Sequence, residues 1–288
     1  SGATDSFLKL VLSLSPLFES GDEILYSPLD HESFIGPLFR LQQIFSSAGK
    51  EIVLKPYATS VLGAPDINDI FAKTTKKTRL LAITHIHNVF GADVETERLQ
   101  ELRGRGIIVV LDAAQSVGHI PVNAHALGID ALAFSGHKML AAQGSGVLYV
   151  ASSLASRLAS VLPDGMRSLK SCYEVGTLDY ASLLTILPAI DFLEQYGVAE
   201  IRSHLRYLTQ YALAALRSIP AVIFKPGPHY WRCAEGFGII SFSLSGCDSN
   251  EIGFALAEKD VLVRSGRFCT LAKDEFNDVV RFSFHLYT

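Results

Sequence analysis

The chain has 288 residues, and at about 150 residues per domain its length corresponds to roughly two domains, with a core large enough to need neither disulfides nor a structural metal. Hydrophobic residues make up 49% and charged residues 19%, below the usual charged share of about 25%, which excludes intrinsic disorder. Lys and Arg number 25 against 29 Asp and Glu, a net charge of −4, and no basic run exceeds Lys76-Lys77; neither a nucleic acid nor an anionic membrane surface is expected as the main partner.

No apolar run reaches the roughly 18 residues of a membrane span. Cys172, Cys233, Cys247 and Cys269 are scattered, with no CxxC pair and no matching histidine spacing. That is poor material for a metal site or a disulfide framework, and it suits a reducing, cytoplasmic compartment. The chain opens with Ser1-Gly2-Ala3-Thr4 directly into a helical pattern and stops at Tyr287-Thr288 just after a strand pattern, so both ends read as trimmed from something longer.

Phe7, Leu8, Leu10, Val11 and Leu14 recur at helical spacing, closed off by Gly21-Asp22. Glu23–Ser27 reads as a strand, Ser33–Ser47 as a helix, Glu51–Lys55 as a strand and Ile67–Ala72 as a helix. Arg79–Thr84 reads as a buried strand and Glu95–Arg103 as a helix. Gly106–Leu111 and Asp130–Phe134 are continuous apolar runs of the kind found in a parallel sheet covered on both faces, and Val147–Val150 is a further strand. Alternation of this kind predicts βαβ units and an α/β domain with a mostly parallel central sheet. After Thr177 the texture changes. Leu183–Tyr196 and Ile201–Ser218 read as long helices broken at Gly197. Strands follow at Ala221–Phe224, Gly238–Phe242, Val261–Val263 and Val279–Phe284, with a helix at Glu251–Glu258. The expected division is a large domain over residues 1–197 and a smaller α+β domain over 198–288. Neither internal repeats nor a low-complexity linker are evident.

The chemistry gathers where strands end. The strand through Ala131-Leu132-Ala133-Phe134 runs directly into Ser135-Gly136-His137-Lys138. Burial lowers a lysine's pKa and makes it a competent nucleophile and base. A lone loop lysine is ordinarily a surface residue, and what distinguishes Lys138 is its company. Gly106–Leu111 ends in Asp112-Ala113-Ala114-Gln115, and an acid at the carboxyl end of a parallel strand faces the crevice where such sheets bind ligands; the plainer use of Asp112 is as a helix N-cap. Arg79–Thr84 ends in His85-Ile86-His87-Asn88, and Glu23–Ser27 leads to Asp30-His31. The small residues and hydroxyl of Ser1-Gly2-Ala3-Thr4 open a helix where backbone N–H groups can hold a phosphate.

With these residues in this order the chain resembles the class V aminotransferase superfamily of pyridoxal-phosphate enzymes, and within it the cysteine desulfurase/selenocysteine lyase group. The likeness covers essentially the whole chain, and its most specific part is the pair Asp112-Ala-Ala-Gln115 and Ser135-Gly-His-Lys138. It implies the fold type I, aspartate aminotransferase-like, architecture. It implies that Lys138 forms a Schiff base with the cofactor aldehyde, that Asp112 pairs with the pyridinium nitrogen, and that Gln115 touches the ring hydroxyl. By the same likeness His31 stacks on the ring, and Ala3, Thr4, Ser135 and His137 form the phosphate site. Asn88 lies against the cofactor and substrate edge. Thr177, in Glu174-Val-Gly-Thr177, resembles the threonine that reaches a partner subunit's phosphate, which implies a homodimer. Arg264-Ser-Gly-Arg-Phe-Cys269 resembles the loop carrying a persulfide cysteine, and Arg281 the arginine that binds the amino-acid carboxylate. Neighbouring cations would favour the Cys269 thiolate, whereas its plain reading is an inert buried thiol. Cys172, Cys233 and Cys247, with His87, His119, His125, His204, His229 and His285, are expected to be structural or surface residues.

Departures from the family pattern fall mostly on the substrate side. Gly2-Ala3-Thr4 stands where two hydroxyl residues are usual, His31-Glu32 where a histidine pair is common, and Arg267-Phe268 where two histidines are usual. The stretch from Val150 to Glu174 is short and lacks the usual glycine-rich segment. The expected function is desulfuration of L-cysteine, with persulfide on Cys269, alanine as product, and transfer of sulfur to an acceptor protein or small thiol. Two alternatives stay open: another class V reaction (aminotransferase, amino-acid epimerase or C–S lyase) that needs no Cys269, and a degenerate chain serving as a binding module.

Overall fold

The computed structural model describes residues 2–60, 62–162, 168–174, 176–227, 236–271 and 278–288. Six strands, β1 (Asp22–Tyr26), β2 (Ile52–Pro56), β3 (Thr78–Thr84), β4 (Ile108–Asp112), β5 (Ala131–Ser135) and β6 (Gly146–Val150), form one sheet in the order β2-β1-β3-β4-β5-β6. Side chains of a strand alternate between faces, and here both faces are apolar. Ile24, Leu80, Ala82, Ile108, Val110, Ala131 and Ala133 enter one core cluster, while their neighbours Leu25, Leu81, Ile83, Val109, Leu111 and Leu132 enter a second. Helices α1 (Gly2–Leu14) and α2 (Glu32–Ser47) pack on the first cluster, α3 (Ile67–Lys73) and α4 (Leu99–Gly104) on the second, and α5 (Ser152–Ala159) on the first again.

Pairing is parallel from β2 through β5 and antiparallel at β6. The reason is the connection: Gly136–Ser145 is too short for the helical crossover that a parallel neighbour requires. Helix α1 buries Phe7, Leu10, Val11 and Leu14 along one stripe, with the Phe7 ring 4.4 Å from that of Phe34. Asp66 caps α3 by accepting from the Asn68 and Asp69 amides.

Beyond α6 (Leu169–Tyr173) and α7 (Tyr180–Leu183) come α8 (Ile186–Tyr196) and α9 (Val198–Arg217), separated at Gly197 as expected. In α9 Ile201, Leu205, Thr209, Leu213 and Leu216 form the buried stripe. The strands β7 (Val222–Lys225) and β8 (Ile239–Leu244), helix α10 (Ser249–Ala257), and strands β9 (Arg264–Gly266) and β10 (Val279–Ser283) complete the chain; the four strands pair antiparallel in the order β7-β8-β10-β9. This small sheet shares its core with Val89, Phe90 and Ala92 from the segment after β3. No described helix is long and apolar enough to cross a membrane.

Three local expectations need correction. Val261–Val263 is not a strand. The Val261 amide bonds back to the Leu256 carbonyl, Asp260 adopts φ 59°, and this run ends α10 before β9 begins at Arg264. The helix expected at Leu183–Tyr196 begins at Ile186, since Leu183 ends the separate short helix α7, and between them the Thr185 hydroxyl accepts from the Ala142 amide at 2.8 Å, tying this junction to the loop after β5. The segment expected as one helix at Glu95–Arg103 starts as a tighter turn at Thr96–Arg98 before α4. Helices α5 and α6 were not anticipated.

Candidate active site

The carboxyl ends of β1, β3, β4 and β5 meet the start of α1 around a cavity of about 190 Å³. Its wall holds Ala3, Thr4, His31, Asn88, Asp112, Gln115, Ser135, His137 and Lys138, nine of the residues singled out from sequence. Thr84, Ser33, Ile86 and Ala114 also line it and were not anticipated. A second cavity of about 300 Å³, lined mainly by apolar side chains including Val117, Phe134, Met139 and Leu193, carries none of the expected residues.

Strand register sets the spacing. Thr84 and Asp112 are Cα partners across β3 and β4, and Asp112 and Ala133 across β4 and β5. Asp112 is buried, and its Oδ1 accepts from the Ala114 amide at 2.9 Å. Burial raises its pKa, while the Lys138 ammonium and that amide pull it back. Lys138 sits in the short helical turn Gly136–Met139 that follows β5, closed by Leu140 at φ 70°. Desolvation lowers its pKa; the Asp112 carboxylate opposes this and Arg281 reinforces it.

His31 is the N-cap of α2. Its Nδ1 accepts from the Ser33 amide at 3.1 Å and lies 2.8 Å from the Ser33 hydroxyl. With Nδ1 accepting, the neutral ring carries its proton on Nε2. Burial lowers the His31 pKa, as do the charges of Lys138 and Arg281. At the far end of the cavity the Ala3 amide donates to Ser135 Oγ at 3.0 Å, so the first turn of α1 abuts the end of β5. Gly146 permits this approach: a Cβ there would stand 2.6 Å from Gly2 Cα. The positive end of α1, the Ser135 hydroxyl and the exposed His137 ring together offer a setting for an anion.

Four predicted residues lie off this wall. Arg281 stands on β10, and its Nη1 donates to the Asn88 carbonyl at 2.8 Å. Its buried Nε has no hydrogen-bond partner, and among the described residues neither Arg281 nor Arg264 forms a salt bridge. Burial, then the charge of Arg264, brings the Arg281 pKa down to about 10. Arg264 is exposed, gives its Nη2 to the Arg267 carbonyl at 3.1 Å, and shares the Phe268 ring with Arg281. Cys269 is half-buried; its carbonyl accepts from the Glu32 amide at 2.8 Å, and Thr270 bridges to His31, so the loop is laced to the start of α2. Thr177 is exposed.

Of the residues expected to be structural, His87, His119 and His285 are buried and Cys247 is exposed. Cys233, His229 and the Cys172 side chain lie outside the described residues.

A family model described as Aminotransferase class-V matches residues 1–288. A protein of Halalkalibacterium halodurans named probable cysteine desulfurase is 31% identical over 93% of this chain and 67% of its own length. The structure of cysteine desulfurase CsdA from Escherichia coli superposes with a TM-score of 0.88 at 25% identity, covering 100% of this chain and 73% of that one. That of a cysteine desulfurase from Thermococcus onnurineus gives 0.84 at 29% identity, covering 99% and 73%. The chain spans from 63% to 73% of the length of the curated relatives considered.

Proposed function

The chain belongs to the aminotransferase class-V family, and on that premise we propose that it is a pyridoxal-phosphate enzyme that removes sulfur from L-cysteine and releases L-alanine. The observation that carries this reading is the meeting of Lys138, Asp112 and His31 on one cavity wall, with Arg281, which among the described residues pairs with no carboxylate, close behind. The cavity suits the cofactor: Asn88 Oδ1 and Thr84 Oγ1 are buried wall atoms without partners, and the start of α1 with Ser135 and His137 suits a phosphate. When bound, pyridoxal phosphate supplies an electrophilic carbon and a ring that spreads negative charge from the substrate's Cα.

The residues divide the work by their charge and position. Lys138 Nζ, its pKa lowered by burial, holds the cofactor and takes the substrate's α-proton. The Asp112 carboxylate would pair with the ring nitrogen and favour its protonated form. His31 would pack on the ring, Gln115 would bond its hydroxyl and Asn88 would lie toward the substrate. Ala3, Thr4, Ser135 and His137 would hold the phosphate. Arg281, with Arg264 beside it, takes the substrate carboxylate in its planar fork. Cys269 Sγ accepts the substrate sulfur: an S–S bond forms on the enzyme, the C–S bond breaks, and the carbon keeps the electron pair and gains a proton to become the methyl group of alanine. A sulfur-acceptor protein or small thiol then unloads the persulfide.

Exposed Thr177 fits a homodimer in which it reaches the partner's phosphate site. The free thiols of Cys247 and Cys269 suit the cytoplasm. A division into residues 1–197 and 198–288 is supported by the confinement of β1–β6 to the first part and β7–β10 to the second. A second reading, a class V aminotransferase, epimerase or C–S lyase reaction without a thiol, draws support from the place of Cys269 outside the cavity wall.

The test is to add pyridoxal phosphate to the purified protein, follow the visible absorption band, and assay sulfide and alanine from L-cysteine. The desulfurase reading requires both products, and their loss in Cys269→Ala with the band retained. A Cys269→Ala variant that turns over amino acids as fast as the parent would establish the second reading instead.

A further inference from the structure

At the cavity wall and just behind it the ends of three strands deliver a row of buried oxygens. Asp30 follows β1, Thr84 ends β3, and Asp112 ends β4; β3 lies between the other two strands, and Thr84 is the register partner of Asp112. Asp30 is 1% exposed and Thr84 5%. Neither Asp30 Oδ2 nor Thr84 Oγ1 has a partner in hydrogen-bond geometry, although the hydroxyl is close enough to ease the carboxylate's charge. Tyr57, after β2, is also buried beside Asp30; its hydroxyl donates to the Ala82 carbonyl at 3.1 Å, which leaves its oxygen free to accept.

Two interacting carboxyls taken out of water cannot both ionise cheaply, and the proton settles on the one with the poorer cationic company. Asp112 has Lys138 and the Ala114 amide; among the described residues Asp30 has the Thr84 hydroxyl and that of Tyr57, whose proton goes to the Ala82 carbonyl. We propose that Asp30 is a positioning residue that holds the proton shared by this pair, so that Asp112 alone carries the negative charge facing Lys138. The role assigned to Asp112 rests on the proposed function; the proton on Asp30 does not.

Burial, eased in part by the Thr84 hydroxyl and reinforced by the Asp112 charge, pushes the Asp30 pKa up to about 8. The ionisable groups around Asp30 are Asp112 on β4 and Tyr57 after β2, with His31 next in the chain. His87, whose Nε2 lies 3.0 Å from the Leu29 carbonyl, is brought down to about 4 by burial and is neutral across this range. An unfolded aspartate titrates at about 3.9. Between that value and about 8 the folded chain therefore holds a proton that the unfolded chain has lost, and Asp30 lowers stability as pH rises through this window.

Melting temperatures of the cofactor-free parent and Asp30→Asn, measured from pH 5 to 9, test the proton. The expected result is a gap in favour of the variant that widens by about 2–4 °C per pH unit up to about pH 8 and is then constant. Parallel curves, the signature of a merely structural residue, would overturn it. If Asp30→Asn fails to fold, infrared difference spectra of the parent and Asp30→Glu decide. A protonated-carboxyl band lost on raising the pH through 8, and moved in position by Asp30→Glu, supports the proposal, and its absence overturns it. For the positioning role, the visible band of the pyridoxal-phosphate-loaded parent is expected to change through the same pH range and that of Asp30→Asn to stay flat. Equal pH responses would overturn that role. A parent that takes up no pyridoxal phosphate refutes the proposed function while leaving the melting result to decide the proton.

Discussion

Lys138, Asp112 and Thr84 stand at the ends of adjacent strands in one sheet, whereas Arg281, Arg264 and Cys269 come from the small antiparallel sheet and the loop beside it. In the first group the distances between functional side chains are set by strand register, which is locked by two apolar cores. In the second they depend on a few polar ties across the fold, Arg281 Nη1 to the Asn88 carbonyl and the Glu32 amide to the Cys269 carbonyl. The contrast separates two kinds of placement. One half of the site inherits the rigidity of the core. The other is as firm as the docking of one loop, and the substitutions that test it report on substrate rather than on cofactor.

The largest effect is expected in the rigid half. Lys138→Ala should lose turnover by about 10³-fold, with the fold intact by circular dichroism, because it removes the proposed base. In the docked half, Arg281→Lys keeps the charge and loses the fork. Its KM for the amino-acid substrate is expected to rise by about 10- to 100-fold, while kcat and the cofactor band change less. A fall in cofactor uptake equal to that of Lys138→Ala would erase the distinction between the halves.

Acid stability sharpens the comparison. His85, His87 and His119, all buried, have pKa values lowered to about 4 by desolvation. Unfolded histidines titrate at about 6.5, so below that pH the unfolded chain takes up protons that the native chain refuses. Stability is expected to fall as pH drops from about 6.5 to 4, by about 1 kcal/mol per pH unit for each ring. His119→Gln should flatten this slope in a pH series of melting temperatures. The slope is opposite in sign to that of Asp30, so difference curves between parent and variant separate them. The smallest effect is expected at the seam. Ser33→Ala removes the hydroxyl that steadies His31 at the start of α2, at a cost of about 1 kcal/mol measured by denaturant unfolding.

How much of this was legible in the chain follows the same division. Apolar runs such as Ile107–Leu111 announce buried parallel strands, and the polar residues just beyond them, Asp112, Asn88 and Ser135 to Lys138, were found because strand ends in such sheets face a crevice. Thr84 and Ser33 carried only weak signals: a strand's last residue, and a serine two places after a histidine that turns out to cap a helix. Asp30 was visible as a neighbour of His31 but not as a buried acid, since burial depends on β2 and β3 flanking the strand that it follows. The apolar run Val261–Val263 misled because a helix's closing turn and a short strand look alike over three residues.

The sequence by itself determined the α/β architecture, nine of the residues on the cavity wall, and the family. Those depend on hydrophobic period and on short motifs that sit within a single strand-and-turn unit. Only the tertiary structure decided that Lys138 shares its space with Arg281, that a backbone contact ties the Cys269 loop to α2, and that a second buried carboxyl, Asp30, stands behind Asp112. These are contacts between segments far apart in the chain, and the electrostatics they create come from burial, which has no local signature in sequence.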